Sequence, residues 1–450
     1  MDLFTLFKSV YSMALLIFSV VCIMALIGKK QTKLFEDAHP VAAYFLIWIA
    51  ILWLTLVEGG QASLVGLAPV NRELYKDSHP IAYKCSALGH KGDNLERYLL
   101  GRQFMVVLVV FCVNISGSPI EGAKLWNFPQ WIIDIFFVYG GAMILFTCMV
   151  GQLNTQVNAS LCMLDYTNSY FALFTLWVAM LIEFTGILHV SYLMQTTVAK
   201  LAGNPIISKE EPRDWAQNIF FYGRCLCSFV ILGYSFAVTL KALFDGNTSM
   251  WEGFPPEIAV VIFFLLMAVV GTLEGMQIAF YAVAKIPSSE RGDSIWAKKI
   301  CHLLYSGDGT NLPAFMVGRQ LCVVSCMLFI ARVTSVKVQT EEEDHCFHDV
   351  LYRNGFFGAF LTTIVASISW QLLASTFPIA FLSNPITYIL LRWCLLLEAT
   401  GICRGAWVLA AIHKQIAGFQ RDEVYIGTAE SRHTDNNNNY YAPHETEKIV

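Results

Sequence analysis

Charge is what this chain is short of. Asp, Glu, Lys and Arg make up 14% of its residues, against 56% hydrophobic ones. A soluble globular protein carries about 25% charged residues. Too few charges remain here to cover a surface facing water, and the mean hydropathy of +0.53 agrees. The composition excludes an ordinary soluble domain and implies an integral membrane protein. Catalytic and nucleotide-binding signatures are missing too. There is no G-x-S-x-G, no Walker loop and no histidine box, so neither a nucleophile elbow nor a phosphate cradle nor a membrane di-iron centre is indicated. The longest loops expected, at 71–101 and 285–315, are about thirty residues each and leave no room for the soluble nucleotide domain of an ATP-driven pump. The pattern points to no enzyme, no cofactor and no nucleic-acid partner. Thirteen cysteines are scattered, most of them within apolar stretches. There cysteine behaves as a small apolar residue, and no disulfide framework is expected.

What the chain has is long apolar runs. Ten could span a bilayer, at roughly 10–27, 40–57, 103–116, 129–149, 170–194, 218–243, 256–273, 316–334, 355–377 and 384–402, a span needing about 20 apolar residues. The first run is followed by GKKQTKLFED, which lacks the small-residue pattern of a signal-peptide cleavage site. The distribution of Lys and Arg tilts modestly toward cytoplasmic termini. From 428 onward the chain is polar, with a run of Asn, and reads as a disordered tail, 428–450. The fold class expected is an all-α integral membrane protein of about ten transmembrane helices.

Two of the runs are interrupted in the same way. Glu58-Gly59-Gly60-Gln61 is answered by Glu274-Gly275-Met276-Gln277, 216 positions on (from 58 to 274). Gly101-Arg102-Gln103 is answered by Gly318-Arg319-Gln320, 217 on, and Cys85 by Cys301. GDNL at 92–95, GQL at 151–153 and LIEFTGI at 181–187 are answered by GDGTNL at 307–312, WQL at 370–372 and LLEATGI at 396–402. Matches in this order at nearly one offset describe an internal duplication, with units at 1–200 and 215–412. Five spans per unit would invert the second unit against the first. In secondary transporters built this way, the substrate and ion sites lie near the midplane, at interruptions that correspond in the two halves. The expectation is a helix broken or re-entrant at each Glu-Gly, its freed polar groups facing protein or a water-filled cavity.

Each motif has a structural and a functional reading. Glu58 and Glu274 could pair with Arg102 and Arg319 and simply hold the halves together, since buried charges pair. Alternatively the carboxylates and the amides of Gln61, Gln103, Gln277 and Gln320 line a polar site. Glutamine both donates and accepts, so such a site could bind a neutral polyhydroxyl solute. Glu183 and Glu398 are expected mid-span, each followed by x-Thr-Gly, either as packing contacts or as a cation or proton site. In the second case Thr185, Thr400 and unwound backbone at Gly59 and Gly275 could add oxygens. Cys162-Met163-Leu164-Asp165 is at best half a metal site, since structural zinc takes four ligands. His345-x-x-His348, after an acidic run, reads as a solvated loop rather than a metal trap, so no metal is expected.

Paired EGxQ and GRQ, duplicated on a ten-span chain, resemble the silicic acid (silicon) transporters of diatoms and other silicifying algae. CMLD at 162–165 is similar to a motif of the diatom members. The likeness covers about residues 1–420; the short Asn-rich tail departs from the longer, coiled-coil-like C-terminal region of many members. The resemblance implies a symporter that takes up orthosilicic acid with sodium by alternating access. It implies a plasma-membrane or silica-depositing-membrane location. It assigns EGxQ and GRQ to the silicic acid site. A passive channel for small neutral solutes and a non-transporting membrane sensor are the alternatives. The oligomeric state is not legible.

Overall fold

A computed structural model describes residues 3–32, 39–68, 70–120, 122–201, 203, 210–248, 255–284, 294–305, 311–334 and 356–427. His345, His348 and the tail from 428 lie outside the described residues. Among those residues the regular structure is helical, apart from one isolated bridge between Thr32 and Pro119.

The first part of the chain forms α1 (Leu3–Gly28), α2 (Pro40–Leu67), α3 (Pro80–Gly89), α4 (Asn94–Gly117), α5 (Gln130–Val138) and α6 (141–161). It continues with α7 (Met163–Thr167), α8 (Tyr170–Phe184) and α9 (Val190–Leu201). The same series then recurs: α10 (Trp215–Phe244), α11 (Pro256–Ala284), α12 (Ile295–Tyr305), α13 (Asn311–Thr334), α14 (Phe356–Thr376), α15 (Pro378–Leu382), α16 (Pro385–Ala399) and α17 (Gly405–Ala417). A last short helix, α18, covers Glu423–Ile426.

Local signals set the boundaries. Ser169 and Asn384 cap the starts of α8 and α16, their side chains accepting from Ala172 and Ile386 backbone N–H groups. Both helices end just before a glycine at positive φ, Gly186 (+81°) and Gly401 (+76°). That left-handed conformation is the usual helix stop and strains any residue with a Cβ. The outward faces of α1, α2 and α10 are apolar, with Phe7, Phe45, Ile49, Phe220, Leu226 and Phe229 exposed. The inward faces carry buried Glu58, Arg102, Glu274 and Arg319. Apolar outside and polar inside is the arrangement lipid demands.

Among the described residues six helices are long and apolar enough to cross a membrane, or seven if α5 and α6, bent by 51° at Gly140, count as one span. This multi-pass architecture has fewer qualifying spans than the ten runs. Three of the runs fall short for physical reasons. α4 carries Glu96, Arg97 and Arg102. α8 and α16 have 15 residues each, about 22 Å at 1.5 Å per residue.

Four further expectations need correction. The helices holding GRQ begin ahead of the runs drawn at 103–116 and 316–334: α4 and α13 start at Asn94 and Asn311, placing Arg102 and Arg319 two turns inside. The helices do not break at EGxQ: α2 and α11 run continuously through 58–61 and 274–277. Gly59 and Gly275 serve close approach instead. A Cβ on Gly59 would lie 2.3 Å from the Tyr166 ring of α7, and one on Gly275 would lie 2.5 Å from Phe381 of α15. No unwound carbonyl is therefore offered to an ion at either glycine. Glu183 and Glu398 sit in the last turns of α8 and α16 rather than mid-span.

The fourth correction concerns register. The chain does bulge, but in α6 and α14, each holding a seven-residue π-helical stretch, Thr147–Leu153 and Thr362–Ile368. Eight-residue α-helical stretches follow, Asn154–Leu161 and Ser369–Thr376, and then α7 and α15 with five residues each. This order aligns 147 with 362. Ser367 thus answers Gln152 and Gln371 answers Gln156, so the match of GQL with WQL is one helical turn out of step.

Candidate substrate site

The GRQ helices, α4 and α13, touch each other at the centre of the molecule. Each also packs on the π-helical stretch from the other part of the chain, α4 on Thr362–Ile368 and α13 on Thr147–Leu153. α2 lies along α4, and α11 along α13. The glycines of GRQ serve the outer contacts of these helices, α4 with α8 and α13 with α16. A Cβ on Gly101 would fall 1.8 Å from the backbone oxygen of Ala179 in α8, and one on Gly318 would fall 1.8 Å from that of Cys394 in α16.

Both EGxQ and both GRQ motifs meet there around one cavity. Glu58, Gln61, Arg102, Gln103, Gln152, Glu274, Gln277, Arg319 and Gln320 line it, with Val106, Val323 and Met327. Its open space, about 10 Å³ counted over positions of a water centre, is room for about one water molecule. Arg102 and Arg319 are 1% and 2% exposed, so their charges need partners close by. Arg102 pairs with Glu58 and also donates from Nε to the Val57 carbonyl at 3.3 Å. Arg319 pairs with Glu274 at 3.2 Å. Two carboxylates against two guanidiniums leave the cavity formally neutral.

Each arginine also donates to the glutamine that follows it, Arg102 to Gln103 at 2.8 Å and Arg319 to Gln320. The glutamates receive further amides: Gln152 donates to Glu58 at 3.0 Å and Gln371 to Glu274 at 2.8 Å. The pattern then stops being symmetric. Gln320 donates to Gln152 at 2.6 Å and accepts from Gln156 at 3.2 Å, a bridge between the two parts of the chain. Gln371, in the place of Gln156, instead donates to Ser367 at 3.4 Å. Arg319 Nε is buried without a partner among the described residues. Gln61 and Gln277 face the cavity with no hydrogen bond from their amides among the described residues.

All eight motif residues of EGxQ and GRQ thus converge. Gln152, Gln156 and Gln371 complete the network, and sequence reasoning passed over them. Their signal was the repeated Gln near the π-helical stretches, read only as a marker of duplication. The ion candidates do not converge. Glu183, buried, lies 3.6 Å from His189 and accepts from Tyr192 at 3.3 Å. Glu398 lies 3.6 Å from Arg404. The exposed hydroxyls of Thr185 and Thr400 donate to the Ile182 and Leu397 carbonyls at 2.6 Å, as helix-end threonines do. None of these four lines the cavity.

CMLD has a different place. Asp165 faces His79 at 3.0 Å and accepts from the backbone N–H of Gln420 at 2.6 Å. Asp422 accepts from the backbone N–H groups of Met163 and Leu164 at 3.0 and 2.9 Å. The motif fastens residues 420–426 to α7. Among the described residues no three His, Cys, Asp or Glu side chains gather as a metal ion would need, and none of the described cysteines forms a disulfide.

Comparison with known proteins adds one match. A family model described as silicon transporter matches residues 1–449. No curated protein and no solved structure matches.

Proposed function

Because the chain belongs to the silicon transporter family, we propose that the central cavity is its silicic acid site, with Gln61 and Gln277 as the residues that read the ligand. The observation that carries this is two repeat-related amides, free of other partners, facing a cavity that is buried and formally neutral. Si(OH)4 is neutral and carries four hydroxyls. It needs convergent donors and acceptors without net charge, and glutamine supplies both. Glu58 and Glu274 accept hydroxyl protons. Arg102 and Arg319 balance the carboxylates, and the unpartnered Nε of Arg319 is a donor in waiting. Gln103 and Gln320 complete the ring.

A cavity with room for about one water is too small for Si(OH)4, so α2, α4, α11 and α13 part to admit it. Such parting, alternately to each side, is alternating access between two inverted five-span units, with α4 and the short, outward-facing α8 and α16, whose Phe174, Trp177, Ile389 and Trp393 are exposed, as the remaining spans. Sodium drives uptake if it binds one of the two open forms more tightly. Glu183 and Glu398 remain the acidic candidates for that ion, at a distance from the substrate.

The test is uptake of silicic acid by the purified chain in liposomes. Gln61→Ala with Gln277→Ala is expected to weaken uptake about tenfold at unchanged protein level, the worth of one or two neutral hydrogen bonds. Unchanged uptake would remove the site assignment. Replacing sodium with choline tests coupling: uphill accumulation that survives in choline rules out sodium as the driver, and loss of any uphill accumulation in sodium favours a channel.

A further inference from the structure

A second cavity lies one helical turn away along the same α2–α4 contact. Gly60 and Leu64 of α2, Tyr98 of α4, Cys85 of α3, Thr167 of α7 and Thr175 of α8 are among the residues around it. Its open space, about 20 Å³, is room for one or two water molecules, so like the central cavity it widens to admit a larger solute. Tyr98 stands four residues before Arg102, so the two cavities are neighbours on one face of α4.

Three hydroxyl-bearing side chains line this cavity, and Tyr98, Thr167 and Thr175 are only 3%, 3% and 4% exposed. The hydroxyls of Thr167 and Thr175 have no hydrogen-bond partner among the described residues. Of the other buried threonines, Thr32 and Thr147 share this state. Thr55, Thr272 and Thr362 each turn their hydroxyl back to the carbonyl four residues earlier, at 2.7–2.8 Å. A buried hydroxyl left unpaired is destabilising, so two side by side call for a ligand.

The other part of the chain shows that the fold does not require this cavity. In the register set by the helices, Gly60 answers Met276, Tyr98 answers Phe315, Thr167 answers Leu382 and Thr175 answers Leu390. All four counterparts are apolar. Met276 and Phe315 are fully buried, and Phe315 packs on Phe280 with ring centroids 4.8 Å apart. Met276 and Phe315 occupy the corresponding place. In the first part, glycine removes the plug and three hydroxyls join a wall that is otherwise apolar, formed by Leu56, Leu64, Ala172 and Leu176. The Tyr98 hydroxyl lies over Gly60, where an added Cβ would come within 2.8 Å of it.

No charged side chain lines the cavity. A bare cation there would lose its hydration with no counter-charge. The chemistry suits a neutral solute with hydroxyls of its own. We propose that the Gly60–Tyr98 cavity is a second binding site for a neutral polyhydroxyl solute, silicic acid in this chain, between the central cavity and the N-terminal end of α4. The identity of the solute rests on the function proposed above. The site makes the two parts of the chain unsymmetrical: three hydroxyls beside α2 and α4, apolar side chains at the matching positions beside α11 and α13.

Equilibrium binding of germanic acid, the germanium analogue, to the purified full chain tests this, alongside silicic acid uptake in liposomes. The wild type is expected to bind two molecules per chain. Thr167→Val with Thr175→Val keeps the shape and removes two hydroxyls. It is expected to bind one and to take up silicic acid about tenfold more weakly, the loss of one or two neutral hydrogen bonds. Gly60→Met with Tyr98→Phe rebuilds the packing of the other part and is expected to do the same. A wild-type count of one, or a count of two in the Thr167→Val/Thr175→Val chain, overturns the proposal and leaves water as the partner of those hydroxyls. Gln61→Ala with Gln277→Ala separates the two readings. If that chain still binds two molecules the central site is wrong, while the second site stands or falls on the threonine variant alone.

Discussion

Arg319 is the residue on which the central cavity turns. It is buried with Glu274, and both interact with glutamines. Removing one member of such a pair leaves the other charge in a place that cannot solvate it, at about 3–5 kcal/mol. Arg319→Ala is therefore expected to lose most of its folded yield, read by size-exclusion profile and thermal midpoint. A normal yield with lost uptake would mean the pair serves the ligand rather than the fold. Gln277→Ala, by contrast, removes an amide with no described partner and should leave the yield alone. That division was partly legible in the sequence. Duplicated carboxylates and arginines at matching distance announced mutual neutralisation. Gln152 and Gln156 were not legible, because a glutamine near a helical bulge looks the same in sequence whether it points at lipid, at solvent or at a glutamate. Only the geometry of the π-helical stretch turns Gln152 toward Glu58.

Glycine explains most of what the sequence hid among the elements. A Glu-Gly in an apolar run reads equally as a break or as a place where something packs close. The backbone settles it as packing, against Tyr166 and Phe381. The real breaks come at glycines with positive φ, Gly140, Gly186 and Gly401. At Gly101 and Gly318 the tolerance is smallest, since the neighbours are the backbones of α8 and α16 and cannot rotate away. Gly318→Ala is expected to push α13 off α16 and cost more than the 1–3 kcal/mol typical of overpacking. The check is its thermal midpoint against that of Gly60→Ala, whose only close neighbour is the movable hydroxyl of Tyr98. Equal midpoints would contradict the packing account. The segment after α17 makes a separate case. Asp422 is buried in its docked position, and burial raises its carboxyl above the usual aspartate range while the Met163 and Leu164 N–H groups pull it down. Asp422→Ala removes a helix cap worth about 0.5–2 kcal/mol and is expected to expose residues 420–427 to protease. Asp422→Asn keeps the acceptor without the charge and is expected to stay docked.

Across the whole molecule, the duplication was the most legible feature and its consequences the least. Residue matches gave the offset of the first four helices. Past them the offset changes, and a similar tripeptide one turn away drew the register off by four. With the register corrected, the two parts differ at a place that matters: Gln152 on one side, Ser367 on the other. Gln152 joins Glu58 to Gln320 and so ties the first part of the chain to the second across the cavity. Ser367 is too short to do this and accepts from Gln371 within its own part. The central cavity is thus fastened on one flank and unfastened on the other. If parting of α4 from α13 is what admits the solute, Gln152 holds the closed form. Gln152→Ser makes the two flanks alike and deletes one neutral hydrogen bond, about 0.5–1.5 kcal/mol, and one to the Glu58 carboxylate, about 1.5–3 kcal/mol. The backbone amides of α13 around Gln320 should then exchange with deuterium at least about tenfold faster, while those of α10, remote from the bridge, should not change. Exchange left at the wild-type rate would show that Gln152 orders the cavity without closing it, and the cause of closure would then lie with the paired Glu–Arg charges.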